Sequence, residues 1–386
     1  MDNLVVLDFS RYIAGPHCTM LLGDMGAEII KVETVGKGDD SRNSRPWVNG
    51  TNPGFTGQNR NKKSLALNTR DPRGMEILKQ LLPHVDVVVQ NFRPGTIEKM
   101  GLTWEYIHEV NPRAIMTNIS GFGQDGPSRD RISFNSIALA EGGLTAHGME
   151  DNNGIPYEIG GAVADFITAL YGTVATLGAL HQRELTGLGQ YLDIDMISSI
   201  AGLFAVNIVD YGANGAIEES KLGAPNFYMQ CKDGYCRVSA HIENIWERLR
   251  RAVPEPALLD SRFDTQEGRI AAEEEIAQIV NRWSVNYTRD EIVEMFTELE
   301  TPVGAVRPVH ELYDNPHIKA RNGITYIDVP NNGKLPYFAF PFRMGDTKID
   351  YDPAPLLGEH TDEILTKYLA MSPDKIAELR AAAIVG

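Results

Sequence analysis

The chain has 386 residues, a formal net charge of −16, 42% hydrophobic and 23% charged residues. That composition fits a soluble globular protein of roughly two to three domains. The acidic balance argues against nucleic acid and anionic membrane surfaces as partners, because both demand basic patches. An anionic small ligand would need its cations concentrated locally. The first residues lack a basic segment and a long apolar run, so no signal peptide is expected. No stretch reads as ~20 unbroken apolar residues that would cross a bilayer. Cys18, Cys231 and Cys236 are too few and too scattered for a disulfide framework or a zinc site, which points to reduced thiols and a cytoplasmic location.

In chain order, Val5–Phe9 reads as a buried strand, and Gly15-Pro16 and Gly26 bracket a short helix. Ala27–Glu33 is the next strand, which makes a βαβ unit with a parallel pair. A dinucleotide is not its expected ligand: Gly15, Gly23 and Gly26 do not form G-x-G-x-x-G, so nothing lets a pyrophosphate approach the first turn. A loop from Gly36 to Gly57 gives way to the basic cluster Asn59–Ser64 and a strand at Leu65–Leu67. Asp71-Pro72 opens a helix through Leu82, and Val85–Val89 is a strand ending in Gln90-Asn91-Phe92-Arg93. Thr103 caps a helix, and Ala114–Ile119 is a strand that runs into Ser120-Gly121-Phe122-Gly123. Alternating strands and helices predict an α/β fold with an open, mostly parallel, Rossmann-like sheet whose ligands bind beyond the carboxyl ends of the strands.

Gly160-Gly161-Ala162-Val163-Ala164-Asp165 then leads into a segment that stays apolar or small through Leu180 and ends at His181-Gln182-Arg183-Glu184. It reads as a helix buried nearly all round. Asp165 is either a first-turn acid stabilised by the helix dipole or a nucleophile in a partly dry pocket. Asp193 and Asp195 alternate on a strand, and period-2 carboxylates of this kind usually face water. Phe227–Ser239 is a hairpin about Asp233-Gly234, and helices at Glu243–Ala252, Ala271–Arg282 and from Thr288 to Leu299 complete a smaller α+β domain. The expected layout is a discontinuous large domain of residues 1–205 and 320–386, a linker at 206–226, a small domain at 227–300 and a second linker at 301–319. Short strands are expected near Ile324–Val329 and Phe338–Arg343.

An ordered series of short stretches resembles the family III CoA-transferases, the group of formyl-CoA and crotonobetainyl-CoA transferases. It comprises Ala14-Gly15-Pro16 with Gly26–Glu33, Asn61-Lys62-Lys63-Ser64-Leu65, Asn91–Gly95 with Gly101-Leu102, Ile119–Gly123, Arg183–Gln190 and Pro355–Thr361. The resemblance implies that Asp165, counted back from R-x-x-T-G-x-G-Q, is the nucleophile. It would pass through an aspartyl anhydride and an aspartyl-CoA thioester while CoA moves from an acyl-CoA to a free carboxylic acid. It further implies CoA contacts at Tyr12, Ile13, Leu67, Asn91, Phe92, Arg93, Lys99 and Asn135, an interlocked homodimer, and no metal or cofactor beyond CoA as substrate. Arg60, Lys62 and Lys63 are candidate additional phosphate contacts. The related α-methylacyl-CoA racemases use a His-Asp-x-Asn-Tyr motif; the matching Ile132-Ser133-Phe134-Asn135-Ser136 has no histidine, which leaves a racemase as the weaker alternative, followed by a non-catalytic acyl-CoA-binding protein.

Overall fold

The computed structural model describes residues 1–48, 51–150, 152–157, 159–217, 223–330, 332–346 and 349–386. Two compact units result, Met1–Val206 with Asn322–Gly386, and Asn207–Arg321. The expected linker at 206–226 lies partly outside the described residues, at 218–222.

The first unit is built on six strands: β1 (Val5–Asp8), β2 (Glu28–Glu33), β3 (Lys62–Ala66), β4 (Val87–Gln90), β5 (Ile115–Ser120) and β6 (Tyr191–Asp195). All pair in parallel, in the order β3-β2-β1-β4-β5-β6. This is a doubly wound sheet, and the strand order reverses between β1 and β4. Side chains alternate across it. Leu7, Ile30, Leu65, Val88 and Met116 pack with Ile77, Leu78 and Leu81 of the helix Pro72–Leu81. Val6, Ile29, Val87 and Ile115 pack on the other face, with Met20–Leu22 of helix α1 (Ala14–Asp24) and Ala179-Leu180 of the helix Val163–Thr186. The near-continuous apolar runs of β1 and β4 follow from burial on both faces.

The helix Val163–Thr186 differs from its sequence reading. It buries one stripe, through Ala164, Thr168, Gly172, Thr176 and Arg183, while Leu170, Tyr171 and Val174 are exposed. By length and composition it and Met196–Asn214 would qualify as membrane spans. Its buried stripe carries threonines bonded to the preceding turn and an Arg183–Asp86 ion pair at 2.9 Å, the marks of a helix seated on a sheet.

Its far end explains the R-x-x-T-G-x-G-Q sequence. The guanidinium of Arg183 holds Asp86, the Thr186 hydroxyl accepts from Leu188 N–H, and Gly187 ends the helix in the left-handed region at φ +77°. Gly189 then passes so close to β5 that an added Cβ would lie 1.8 Å from the Ala114 carbonyl oxygen.

In the second unit β7 (Asn226–Cys231), β8 (Gly234–Ser239) and β9 (Val303–Ala305) form an antiparallel sheet. Three helices, Glu243–Ala252, Glu273–Ser284 and Arg289–Glu298, contribute Trp246, Val280 and Phe296 to its core. Thr288 and Glu291 form the expected capping box. The strand Val303–Ala305 lies within the stretch read as a linker: three residues between Pro302 and Pro308 are too short a run to register, yet they complete the sheet. In the first unit, β10 (Ile324–Val329) pairs with β11 (Gly333–Phe338), so the second strand lies earlier than the expected Phe338–Arg343. Pro336 reads as a breaker, but a two-stranded ribbon has only edge positions, where proline is tolerated.

Candidate active site

The site grows from the reversal point of the sheet. After β1 the chain turns through Ser10–Ile13, with Tyr12 in the left-handed region at φ 66°, and enters α1 at Ala14. After β4 it turns through Asn91–Pro94. The two turns are stitched together: Asn91 Oδ1 accepts from Arg11 N–H and Asn91 Nδ2 donates to the Arg11 carbonyl, both at 2.8 Å. Arg11 lies over the Phe92 ring at 5.5 Å.

These turns, with Ile119-Ser120-Gly121 at the end of β5 and the Arg129–Phe134 loop, line a cavity of about 410 Å³ that also contains Asp165. Four arginines, Arg11, Arg93, Arg129 and Arg131, line it against only two aspartates, Asp40 and Asp165. A chain of net charge −16 therefore gathers local positive charge where a doubly wound sheet binds ligands. Arg93 makes no ion pair among the described residues, whereas Arg11 faces Asp40 at 3.5 Å and Arg131 pairs with Glu141 and covers the Phe122 ring. The Ser120 hydroxyl is buried without a hydrogen-bond partner among the described residues.

Asp165 sits in the first turn of the helix Val163–Thr186 and shares the cavity with Ala14, the first residue of α1, whose backbone N–H favours the charged carboxyl. Ile13, the residue before α1, supplies no side-chain cap, which leaves the amino end of α1 free to favour a negative charge beside it. Two helix amino ends thus favour the carboxylate. Burial nevertheless outweighs the Ala14 N–H and pushes the Asp165 carboxyl up to about 6. The dipole reading alone would have lowered it. Close by, His17 meets the Phe166 ring edge-on at 4.7 Å and shares a 2.7 Å hydrogen bond with Gln58; burial holds it neutral, down to about 4.

Of the residues expected around CoA, the cavity is lined by Tyr12, Asn91, Phe92 and Arg93. Ile13 borders α1 without lining it. Leu67 is in the core and bridges Val385, and Lys99 is exposed at the end of the helix Thr96–Lys99. Arg60 is bound to Asp24 and lies over Tyr351, Lys62 is bound to Asp8, and Lys63 to Glu28 and Glu363. The structure therefore does not bring this basic cluster to Asp165, because each cation already has a carboxylate. Lys62 and Lys63 border instead a polar cleft of about 570 Å³, with Gly26–Ile29, at the opposite, amino-terminal ends of β2 and β3. Arg11, Arg129 and Arg131 were not singled out by sequence. The signal available was two arginines in three residues, Arg129-Asp130-Arg131, within an acidic chain. Asp193 and Asp195 do not simply face water: Asp193 accepts from Gln124 N–H at 2.8 Å and Asp195 caps the helix Met196–Ala201.

Asn135 is hydrogen-bonded at the head of the helix that carries Asp165. Its Oδ1 accepts from Ala164 N–H at 2.9 Å and its Nδ2 donates to the Gly161 carbonyl at 3.3 Å. It caps the helix of Asp165, which has no cap of its own at Ala162. Asn135→Ala is expected to lower stability by about 1 kcal/mol and to reduce kcat with little change in CoA affinity. A titration that instead showed weakened CoA binding would identify Asn135 as a CoA contact.

The sequence profile of CoA-transferase family III matches residues 1–361. The chain is 36% identical over 395 residues to succinyl-CoA–D-citramalate CoA-transferase of Chloroflexus aurantiacus, covering 100% of this chain and 98% of that one. It is 31% identical over 409 residues to formyl-CoA:oxalate CoA-transferase of Rhodopseudomonas palustris, covering 98% and 96%. Among solved structures, a CAIB/BAIF family protein from Brucella suis superposes with a TM-score of 0.84 at 28% identity, covering 95% of this chain and 98% of that one. Rv3272 from M. tuberculosis gives 0.84 at 27% identity, covering 94% and 98%. The chain belongs to family III of the CoA-transferases.

Proposed function

We propose that this protein transfers CoA from an acyl-CoA thioester to a free carboxylic acid, with Asp165 as the covalent carrier. The observation that carries this reading is one half-buried carboxylate, raised to about 6 by burial, in a cavity ringed by four arginines. A carboxylate attacks a thioester poorly unless it is stripped of water and aimed. Burial does the first, and the Ala14 N–H and the Asn135 cap do the second.

In the proposed cycle an Asp165 oxygen bonds to the thioester carbonyl carbon, the C–S bond breaks, and CoA leaves as thiolate with an acyl-aspartyl anhydride behind. The thiolate then attacks the aspartyl carbonyl and releases the donor acid as carboxylate. The acceptor carboxylate attacks the resulting aspartyl thioester, expelling thiolate, which finally takes the new acyl group and frees Asp165. Charge is conserved at every step, and no cofactor beyond CoA is drawn on. The unpaired Ser120 hydroxyl is a donor available to a tetrahedral oxyanion. Arg93, with no carboxylate partner among the described residues, suits a CoA phosphate, as do Tyr12 and Phe92 the adenine. The names of the relatives, which join succinyl-CoA or formyl-CoA to citramalate or oxalate, support acyl-CoA and carboxylic acid as the substrate pair. We further propose a homodimer, in which a second copy covers the exposed Leu170, Tyr171 and Val174, and a reducing cytoplasmic setting that suits the three free thiols.

Hydroxylamine added during turnover with an acyl-CoA panel is expected to trap a hydroxamate on Asp165, read by peptide mass spectrometry. CoA exchange without any free acid, or turnover with no adduct at Asp165, would sink the covalent route.

A further inference from the structure

Beneath the Ser10–Ala14 segment lies a group of charged side chains that the proposed cycle does not use. Asp8, Lys31, Asp39 and Lys62 are all at most 4% exposed. Charges so deeply buried destabilise a fold unless they are paired and fully hydrogen-bonded. Here each is paired with an opposite charge, and their bonds converge on one short stretch of backbone. Asp8 Oδ1 accepts from both Ser10 N–H at 2.8 Å and Ser10 Oγ at 2.5 Å, while Oδ2 accepts from the Thr19 hydroxyl on α1 at 2.7 Å. Lys62 Nζ donates to Asp8 at 3.0 Å and to the Pro16 carbonyl in the first turn of α1 at 2.9 Å. Lys31 Nζ donates to the Ser10 carbonyl at 2.8 Å and pairs with Asp39 at 2.9 Å. Asp39 in turn accepts from Tyr12 N–H at 3.4 Å. The segment between β1 and α1 is therefore held at Ser10 and Tyr12, and α1 is held at Pro16 and Thr19, on either side of Ala14.

We propose that Asp8 and Lys62 are positioning residues for the nucleophile: through Ser10, Pro16 and Thr19 they fix the start of α1, so that Ala14 keeps its place beside Asp165 in the cavity that both line. The proposal rests on the reading of Asp165 as the reacting group. It gives the Lys62-Lys63 stretch a role that the cavity does not, since Lys62 acts on the site from beneath the loop rather than on a ligand phosphate.

The test follows the Asp165 carboxyl itself, by NMR of the protein labelled with ¹³C-aspartate, the resonance being assigned by its loss in Asp165→Asn. This needs no turnover. In the native protein the midpoint is expected near 6. In Lys62→Met and Asp8→Asn it should rise by about one pH unit, because a displaced Ala14 N–H no longer favours the charged form. Ser10→Ala, which removes a single hydroxyl, should move it the same way by less. Asp86→Asn breaks the Arg183 ion pair at the far end of the same helix; it should lower the melting temperature without moving the midpoint. The acid limb of kcat/KM should shift with the NMR midpoint in each folded variant. Unchanged midpoints in the folded variants would overturn the proposal, and if both charge variants fail to fold, Ser10→Ala alone decides it. The trapping experiment on the native protein judges the covalent reading separately: an adduct with immobile midpoints refutes the positioning role only, and moving midpoints without an adduct refute the covalent role only.

Discussion

Asp165→Asn is expected to abolish CoA transfer, by at least about 10³-fold, and at the same time to make the protein more stable at neutral pH. Both effects come from the same burial. The carboxyl titrates near 6 in the folded chain against an ordinary 3.8, so between those values the folded state holds a proton that the unfolded state has released. Stability therefore falls as pH rises from about 4 to about 6 and stays lowered above that window. Asparagine keeps an oxygen for the Ala14 N–H and removes the buried charge. The gain at about pH 8 should be on the order of 2 kcal/mol, somewhat less where water reaches the half-buried group, and it should vanish below about pH 4. Denaturant unfolding of both proteins across this range measures it. A variant that is inactive but no more stable at about pH 8 would show that burial is not what raises Asp165. The native enzyme should correspondingly lose kcat/KM as pH drops below about 6, since on the proposed route only the carboxylate attacks.

The second large effect is structural. Gly189→Ala places a methyl carbon 1.8 Å from the Ala114 carbonyl oxygen and 2.4 Å from its carbonyl carbon. Both are backbone atoms of the stretch entering β5, which cannot swing aside as a flexible side chain would. Loss of more than about 3 kcal/mol is expected, seen as a collapsed melting temperature or insoluble protein. Gly178→Ala is the counterpart within the adjoining helix. Nothing lies within 4 Å of its added carbon, so it should stabilise by about 0.5–1 kcal/mol through helix propensity alone. Equal melting temperatures for the two variants would refute this account of the glycine.

The sheet was legible in the sequence because its strands are buried on both faces and announce themselves as apolar runs between turn residues. Asp165 stood out because a lone acid at the head of an apolar helix needs a partner, and the glycine-rich sequence after that helix fixed its register. What the sequence could not show was which polar side chains are already engaged. Lys62 and Arg60 look like free cations in a linear reading, and only the fold reveals Asp8 and Asp24 opposite them. Asn135 looks like a site polar group, and only the approach of two helix ends makes it a cap. Val303–Ala305 is a strand by virtue of the neighbour it finds in β8 rather than by any pattern of its own.

The helix Val163–Thr186 has one more consequence. Its 24 residues make a rod about 36 Å long, tied at one end by Asn135 and at the other by Arg183 on Asp86. Fastened at both ends, it presents Asp165 from a regular element rather than from a loop. For the covalent carrier proposed above, such a support holds the reacting carboxylate more firmly than a loop would. The proposed cycle then leaves any adjustment to substrate to the turns that line the cavity, Ser10–Ile13 and Asn91–Pro94, rather than to this helix.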